Sequence, residues 1–560
     1  MLETKMDPNG GDVIPHRQVA LHCAASVVLL WMAGPPTQWW PLALVAIVPW
    51  LKLILMTGRL DRRGKWIIVA VSTLYWMVSL QGLRHAHPAI YVGWFALSAY
   101  LAVYHLLFIW LARRLIERKI GLQIAAPLAW MTTELVRNYL LSGISVLMLG
   151  HAMADVPAMI QIADLVGTYG VGWVVMVVNV AVVCVFSFWK GKVDRKSAIT
   201  AIGIAIVYVV ATLGYASYRL AEPTGKELAT FLLLQRNEEV DYLQSQEREL
   251  EIFEAYAKQA VEAVKRSEQT IDAVVWPESM FSGGAAWMVA ADDMVVPAEA
   301  EMPAAEFAAS IKEQQAYIER RARYLGELMI EGGIENDIQE KPPAFIAGCG
   351  VISFGENPES YSGVLHVDSS GNVASWYGKM HLVMFGEYIP ILPWIPGANS
   401  LMPPGMGLAT GEQPGRMPVG DTLVSPNICI ETAVERVTGA QVHWPGLPSP
   451  DVVVTVTNDG WFDDSSLIEH HLRCVQLVAV GVRRPILSSA NNGPTAWVDD
   501  RGAIVDRLER GENGQVIAKP TQNTRTSFYA RIGDWPMRLL GLLTIVLAFV
   551  PGQRFTSTKA

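Results

Sequence analysis

Three short stretches of this chain each carry one side chain able to do proton-transfer or covalent chemistry, and each follows a run of β-forming residues. Val274-Val275-Trp276-Pro277-Glu278 holds a carboxylate just past a strand end on a proline-stiffened turn. Tyr377-Gly378-Lys379-Met380-His381-Leu382-Val383-Met384-Phe385-Gly386-Glu387-Tyr388 presents an amine and a second carboxylate. Asn427-Ile428-Cys429-Ile430-Glu431 places a thiol where a strand gives way to a helix-like stretch. Taken singly these are ordinary: a turn, a solvated charge, and a thiol of the kind that is usually just a small buried hydrophobe. Together they are what nucleophilic acyl chemistry needs. A thiol near its free pKa is mostly protonated at neutral pH, so a base must take its proton. Glu278 can do so once burial or coupling to Lys379 tunes it. The negative charge that develops on an attacked carbonyl oxygen calls for a fixed cation, and Lys379 fits that role. A helix N-terminus beside Cys429 would favour its thiolate.

These stretches need a scaffold of strand ends. Between about residues 222 and 535 charges return and short β-branched runs alternate with helix-like stretches. The pattern predicts strands at residues 228–234, 273–275, 344–347, 363–367, 422–429, 452–457, 486–490 and 496–498. It predicts helices at 240–266 and 304–331, and a loop or lid at 285–305, rich in Ala, Met and acidic residues. Strands alternating with helices indicate a layered α/β domain.

The rest of the chain is of another kind. Of 560 residues, 51% are apolar and 17% charged, with a mean hydropathy of +0.26, which points to a membrane protein. Apolar runs at residues 19–33, 39–56, 65–82, 89–112, 121–142, 170–188 and 197–217, with an eighth at 537–550, approach the ~20 residues that span ~30 Å of hydrocarbon. The expected organisation is therefore a seven-helix transmembrane domain at 1–217, an extracytoplasmic catalytic domain at 218–535, and an eighth transmembrane helix with a tail at 536–560.

Basic residues orient it, because Lys and Arg in short loops mark the cytoplasmic side. Lys5 and Arg17 precede the first run; Arg59, Arg62, Arg63 and Lys65 follow the second; Arg113, Arg114, Arg118 and Lys119 follow the fourth; Lys190, Lys192, Arg195 and Lys196 follow the sixth. Intervening loops are poor in both. Both termini are thus expected in the cytoplasm, with Arg554 and Lys559 on the C-terminal tail, and the catalytic domain outside. The first run, with no small-residue cleavage site after it, reads as a retained anchor. Glu134 and Arg137 stand at i, i+3 in the fifth run, a spacing that allows an ion pair on one helical face. His85, His87 and His151 read as interfacial loop residues.

The order and flanks of Glu278, Lys379 and Cys429 resemble the Glu-Lys-Cys triad of the nitrilase, or carbon-nitrogen hydrolase, superfamily, whose fold is an αββα sandwich. Seven apolar runs before the domain and one after it narrow the resemblance to the superfamily's membrane branch, the apolipoprotein N-acyltransferases. Gly167-Thr168-Tyr169-Gly170-Val171, the stretch from His381 to Pro390, Thr457-Asn458-Asp459-Gly460-Trp461-Phe462 and Asn491-Asn492-Gly493 carry it further, over nearly the whole chain. The resemblance implies an inner-membrane enzyme acting in lipoprotein biosynthesis. Cys429 would take an acyl chain from a phospholipid as a thioester and yield it to the α-amine of a diacylglyceryl-cysteine at a lipoprotein N-terminus. It implies supporting roles for Glu387 and Glu431 and a lining role for Trp461 and Phe462, with membrane lipid around the helices. Asn458, Asp459, Trp461 and Phe462 divide evenly between a role in the site and a structural one, which for Asn458 and Asp459 is fixing a strand-end turn.

The chain departs from that pattern at Ile430, where the family has an aromatic, at Met384, where it has proline, and at Val478-Ala479-Val480-Gly481, where it carries an Arg-Ala-x-Glu run. Two other readings stay open: a tethered amidase or nitrilase-type hydrolase with water as acceptor, and an inactive lipid-binding scaffold. The net charge of −9 argues against nucleic acid. Five widely spaced cysteines make neither a CxxC pair nor a disulfide framework. Glu469, His470, His471 and Cys474 are metal-ligand types without further ligands at matching spacing, so neither metal nor cofactor is expected.

Overall fold

Long runs without a polar face become helices buried on one side by neighbours and apolar on the other. The computed structural model of the chain describes residues 13–85, 90–191, 193–239, 244–331, 338–384, 386–388, 407–462 and 465–549. The chain divides into two compact units. One comprises Met1–Ala221, Ser465–Arg473 and Ile532–Ala560; the other comprises Glu222–Asp464 and Cys474–Arg531.

In the first unit, helices span His16–Ala33, Arg62–Ser79, Ile90–Glu117, Leu122–Tyr139, Ala163–Trp189, Arg195–Leu220 and Trp535–Phe549. Among the described residues three are long and apolar enough to cross a membrane: Tyr91–Glu117, Ala163–Trp189 and Arg195–Leu220. Trp40–Leu55 and Trp535–Phe549 are apolar but shorter. On Arg195–Leu220, Ile206, Val207 and Val210 turn outward and are exposed, a surface that suits lipid rather than water. Asp61 and Asp194 cap two helices by accepting the N–H groups of Gly64 and Ser197 at 2.7 and 2.9 Å.

The run at 39–56 is not one helix. It breaks into Trp40–Leu42, Ala43–Ala46 and Val48–Leu55, and Asn179 spans the break, accepting from Ile47 N and donating to Ala43 O at 2.9 and 2.8 Å. The freed backbone groups are thereby satisfied without water. The run at 170–188 begins earlier than its apolar pattern suggests, because Gly167, at φ 67°, kinks the helix within one continuous stretch. Glu134 and Arg137, both buried, close no ion pair among the described residues; Glu134 Oε1 accepts Leu149 N at 2.7 Å instead. His151 is buried, not interfacial, its Nδ1 accepting Met148 N at 3.2 Å. His87 and the tail bearing Arg554 and Lys559 lie outside the described residues.

The second unit holds two facing sheets. The first contains β1 (Phe231–Gln235), β2 (Ala273–Trp276), β3 (Trp287–Ala290), β4 (Ala344–Phe354), β5 (Pro358–Val367) and β6 (Val373–Gly378). The second contains β7 (Met417–Val419), β8 (Thr422–Ile428), β9 (Val452–Thr457), β10 (Ile486–Ala490), β11 (Ala496–Val498) and β12 (Ile504–Arg507). β13 (Gly514–Ala518) returns to the first sheet, antiparallel to β1. The orders are β13-β1-β2-β4-β5-β6, with β3 pairing β4, and β12-β11-β10-β9-β8-β7. In each sheet the central strands are parallel and the outer ones antiparallel.

Period-two alternation sorts the side chains into layers. Leu233, Val275 and Ile346 meet Val424, Ile428, Val454 and Val456 between the sheets. Leu232, Val274, Trp276 and Phe345 face outward onto the helices Gln246–Arg266 and Ala304–Ile330 through Phe253, Tyr256, Ile318 and Leu325. Across the second sheet, Asn427 and Thr455 point away from that core and bond Thr438 and Thr432 of the flanking helices at 2.8 and 2.6 Å. The result is helix, sheet, sheet, helix. The expected strands at 452–457, 486–490 and 496–498 coincide with β9, β10 and β11. The expected loop at 285–305 contains the four-residue β3, and β6, β7, β12 and β13 went unanticipated.

Candidate active site

Glu278 leaves β2 on the Trp276-Pro277 turn and is pressed against β4. At Gly348 a side chain would bring a Cβ within 2.3 Å of Pro277 O and 2.5 Å of Glu278 Cα, so only glycine lets the turn sit this close. Lys379 follows β6 directly, and its N–H adds one more rung by donating to Ser362 O at 2.9 Å. Cys429 follows β8 and caps the short helix Ile430–Ala433 with φ 49° and ψ −114°, a positive-φ turn costly for a side-chain-bearing residue. Its N–H is held by Val456 O at 2.9 Å on the neighbouring strand. Strain of this kind at a strand-to-helix turn exposes a nucleophile at the sheet's end.

The three sequence-selected side chains share one electrostatic neighbourhood. Lys379, 1% exposed, has Nζ 3.8 Å from Glu278 Oε1 and 2.5 Å from Glu387 Oε1. Ser362 donates its hydroxyl to Glu278 Oε1 at 3.0 Å. Burial alone would strip the proton from Lys379, but the carboxylates of Glu278 and Glu387, with Cys429, outweigh it and hold the ammonium above the usual lysine range. Burial pushes the Glu278 carboxyl up; Lys379 opposes this and Glu387 adds to it. Burial also pushes the Cys429 thiol up, against the pull of the Lys379 ammonium and with the push of Glu278 and Asp459. Desolvation thus outweighs the helix-terminus effect expected at Cys429 and favours the protonated thiol.

Glu387 has a second bond, its Oε2 accepting Val383 N at 2.7 Å, so one carboxylate holds both that backbone N–H and the ammonium. Glu431 is fully buried and gathers the ends of two strands. It accepts Met380 N at 2.7 Å, His381 N at 3.1 Å, Ile428 N at 2.7 Å and the Tyr377 hydroxyl at 2.8 Å. Burial, opposed by these donors, pushes its carboxyl up to about 7. Gln441 completes the arrangement by donating to Tyr377 OH at 2.7 Å. The stretches carrying Lys379 and Cys429 are thereby pinned to one carboxylate.

Asp459 is buried, its Oδ1 accepting the Thr457 hydroxyl at 3.2 Å, and its charge acts on both Glu278 and Cys429. Asn458 instead holds turns, accepting from Gly460 N and Asn491 Nδ2 at 3.4 and 3.2 Å. Phe462 is half-buried at the end of the turn Asp459–Phe462, while the Trp461 side chain lies outside the described residues. Ser362, Tyr377 and Gln441 were not selected from sequence. Only Tyr377 lay in a stretch already singled out; a serine inside a strand and a glutamine inside a helix carry no signal of their own. The Gly481 departure has a packing counterpart: a Cβ there would come within 2.8 Å of Glu435 Oε1, so a carboxylate from a neighbouring helix already fills that space.

Comparison with known proteins agrees with this architecture. Residues 26–181 match the family model of the apolipoprotein N-acyltransferase N-terminal domain, and residues 244–530 match that of the carbon-nitrogen hydrolases. The chain is 42% identical to an apolipoprotein N-acyltransferase of Rhodopirellula baltica over 94% of its own length and 96% of the relative's. It is 27% identical to that of Geobacter metallireducens, covering 93% of each. Among solved structures, XC1258 from Xanthomonas campestris, a CN-hydrolase superfamily protein, is 15% identical with a TM-score of 0.33, covering 56% of this chain and 97% of that one. With one family model on the helical part, another on the two-sheet unit, and a relative of such identity along nearly the full length, the chain belongs to the apolipoprotein N-acyltransferase family.

Proposed function

We propose that Glu278, Lys379 and Cys429 carry out acyl transfer from a phospholipid to the N-terminal amine of a diacylglyceryl-cysteine lipoprotein. The observation that carries this reading is the buried Lys379 ammonium standing 3.8 Å from Glu278 and acting, with it, on the Cys429 thiol. Glu278 takes the thiol proton as sulfur adds to the ester carbonyl. The oxyanion so formed lies against Lys379. Collapse expels the lysophospholipid alkoxide, which takes the proton from Glu278 and leaves a Cys429 thioester. The acceptor amine then adds to the thioester and gives a proton to Glu278. Collapse releases an amide, and the departing thiolate recovers that proton.

In this reading Glu387 and Glu431 hold Lys379 and the nucleophile turn in register, and Trp461 and Phe462 line the acyl path. All eight apolar segments span the inner membrane, with the two-sheet domain on the periplasmic side and both termini in the cytoplasm. Support comes from the alternation of basic loops and from the outward apolar face of Arg195–Leu220. A water-accepting amidase would have little use for such a helical part.

The test is direct. Purified protein is incubated with a phospholipid carrying a labelled acyl chain and no acceptor, and Cys429 is examined by mass spectrometry for a hydroxylamine-sensitive adduct, with Cys429→Ala as control. An adduct that persists until a diacylated lipopeptide is added supports transfer. Label released to water would replace this reading by hydrolysis, and absence of any adduct would leave only a scaffold.

A further inference from the structure

Within the helical unit a cavity opens between the helices, lined by apolar and aromatic side chains including Trp76, Tyr104, Trp130 and Leu149. Two arginines are set into this wall: Arg473 donates to His151 O at 3.0 Å and pairs with Asp155, whereas Arg137 closes no ion pair among the described residues. Arg137 is 4% exposed, its guanidinium lies 5.3 Å from the Trp76 ring centre, and it lines the cavity. Its Nε and Nη2 find no hydrogen-bond partner among the described residues. These two atoms form one edge of the guanidinium plane, so their N–H groups point the same way and match two oxygens of a single oxyanion. Glu134, on the same helix and lining the same cavity, is engaged with Leu149 N, leaving that edge unclaimed. A buried arginine with two idle donors is costly unless something occupies them.

We infer that the Nε–Nη2 edge of Arg137 seats the phosphodiester group of a phospholipid within this cavity. The shared chemistry is a singly charged phosphoryl oxyanion offering two oxygens, and free phosphate would present it too. The wall favours the lipid: beside the polar Glu134, His151, His470 and Arg473 it carries Leu30, Trp76, Tyr104, Trp130 and Leu149, which suit the glycerol and first methylenes of a lipid and offer a small hydrated ion little. The site contains none of Glu278, Lys379 or Cys429. It goes beyond the acyl-transfer reading, and its failure would leave that chemistry standing.

The test uses full-length protein reconstituted in nanodiscs, with a phosphatidylglycerol bearing a photoreactive group next to the phosphate, and peptide mapping of the crosslinks. Expected is labelling of segments that line the cavity, such as that containing Leu149. Labelling should be unaffected by millimolar inorganic phosphate, fall at least tenfold in Arg137→Gln, and fall by less in Arg137→Lys, which keeps the charge but loses the paired edge. It should persist in Cys429→Ala, where no acyl-enzyme can form. Because Arg137→Gln can fail for want of folding, wild-type protein is also given a photoreactive diacylglycerol of the same chains. Equal labelling by this phosphate-free lipid would overturn the proposal, as would competition by inorganic phosphate or unchanged labelling in well-folded Arg137→Gln.

Discussion

The ammonium of Lys379 lies 3.8 Å from the carboxylate of Glu278, and the lysine is 1% exposed. Such a pair, far from water, decides where protons reside in the resting site. The thiol holds its proton and the carboxylate nearby is a stronger base than an ordinary glutamate. Four predictions follow from that distribution and from the bonds that maintain it.

Replacing the proposed nucleophile separates chemistry from folding. Cys429→Ala removes only the sulfur of a partly exposed residue, so the protein should fold and insert normally while acyl transfer falls by about a thousandfold or more. Cys429→Ser should be nearly as inactive, since an alkoxide is harder to generate at this site than a thiolate. Initial rates with a labelled phospholipid and a lipopeptide acceptor check both.

In the proposed mechanism the pH dependence reports Glu278. A general base works deprotonated, and burial raises the Glu278 carboxyl above its ordinary range. The acid limb of kcat/KM should therefore lie above the ~4.3 of a free glutamate, with activity rising as pH rises through it. Ser362→Ala removes a bond that favours the charged form and should move that limb to higher pH. Glu278→Gln should abolish the limb and cost on the order of 10²–10⁴ in rate. A limb unmoved in Ser362→Ala would show that another group is being titrated.

Beside the chemical role proposed for it, Lys379 neutralises two buried carboxylates. Lys379→Met leaves Glu278 and Glu387 buried without their cation, and losing one partner of a buried pair costs about 3–5 kcal/mol. A lowered thermal midpoint in detergent is expected together with loss of transfer. Restoring neutrality with Lys379→Met/Glu387→Gln should recover part of the midpoint but none of the activity.

Glu431 links stability to pH. Its folded-state carboxyl is pushed up to about 7, whereas in the unfolded chain it titrates near ~4.3. Folding therefore takes up a proton between those values, so its contribution is full below the unfolded value and is lost as pH rises through about 7. The loss is on the order of 3 kcal/mol. Thermal midpoints measured from pH 5 to 8 should decline more steeply in wild type than in Glu431→Gln. The variant should also start lower, because an amide cannot accept from all of Met380, His381, Ile428 and Tyr377.

What the sequence revealed depended on whether a residue's type advertised its position. Glu278 and Cys429 stood out because each is a reactive side chain close behind a β-branched run, and strand ends are where α/β folds present chemistry; Lys379 stood out by its flanks, since β6 before it, Val-Ala-Ser-Trp-Tyr-Gly, has one β-branched residue. The buried parallel strand β9, Val-Val-Val-Thr-Val-Thr, was legible as an unbroken β-branched run, and β10, Ile-Leu-Ser-Ser-Ala, as a short run of small and aliphatic residues. β3 was hidden because four residues of Trp-Met-Val-Ala amid alanines and acids carry no periodicity; its pairing with β4 comes from tertiary structure. Ser362 and Gln441 acquire their roles only when strands and helices distant in sequence meet. In the helical unit, apolar length identified the segments but not the break that Asn179 spans. Spacing placed Glu134 and Arg137 on one helix face but could not say that Leu149 N would take the carboxylate.

In the proposed mechanism Cys429 is the obligatory carrier of the acyl chain. Rapid-quench single turnover with labelled phospholipid and a diacylated lipopeptide present from the start measures it most directly. Label is expected to appear first on Cys429 and to decay into the N-acylated product at a rate no slower than turnover. Labelled product forming while Cys429 stays unlabelled, or a Cys429 adduct decaying more slowly than turnover, would contradict it.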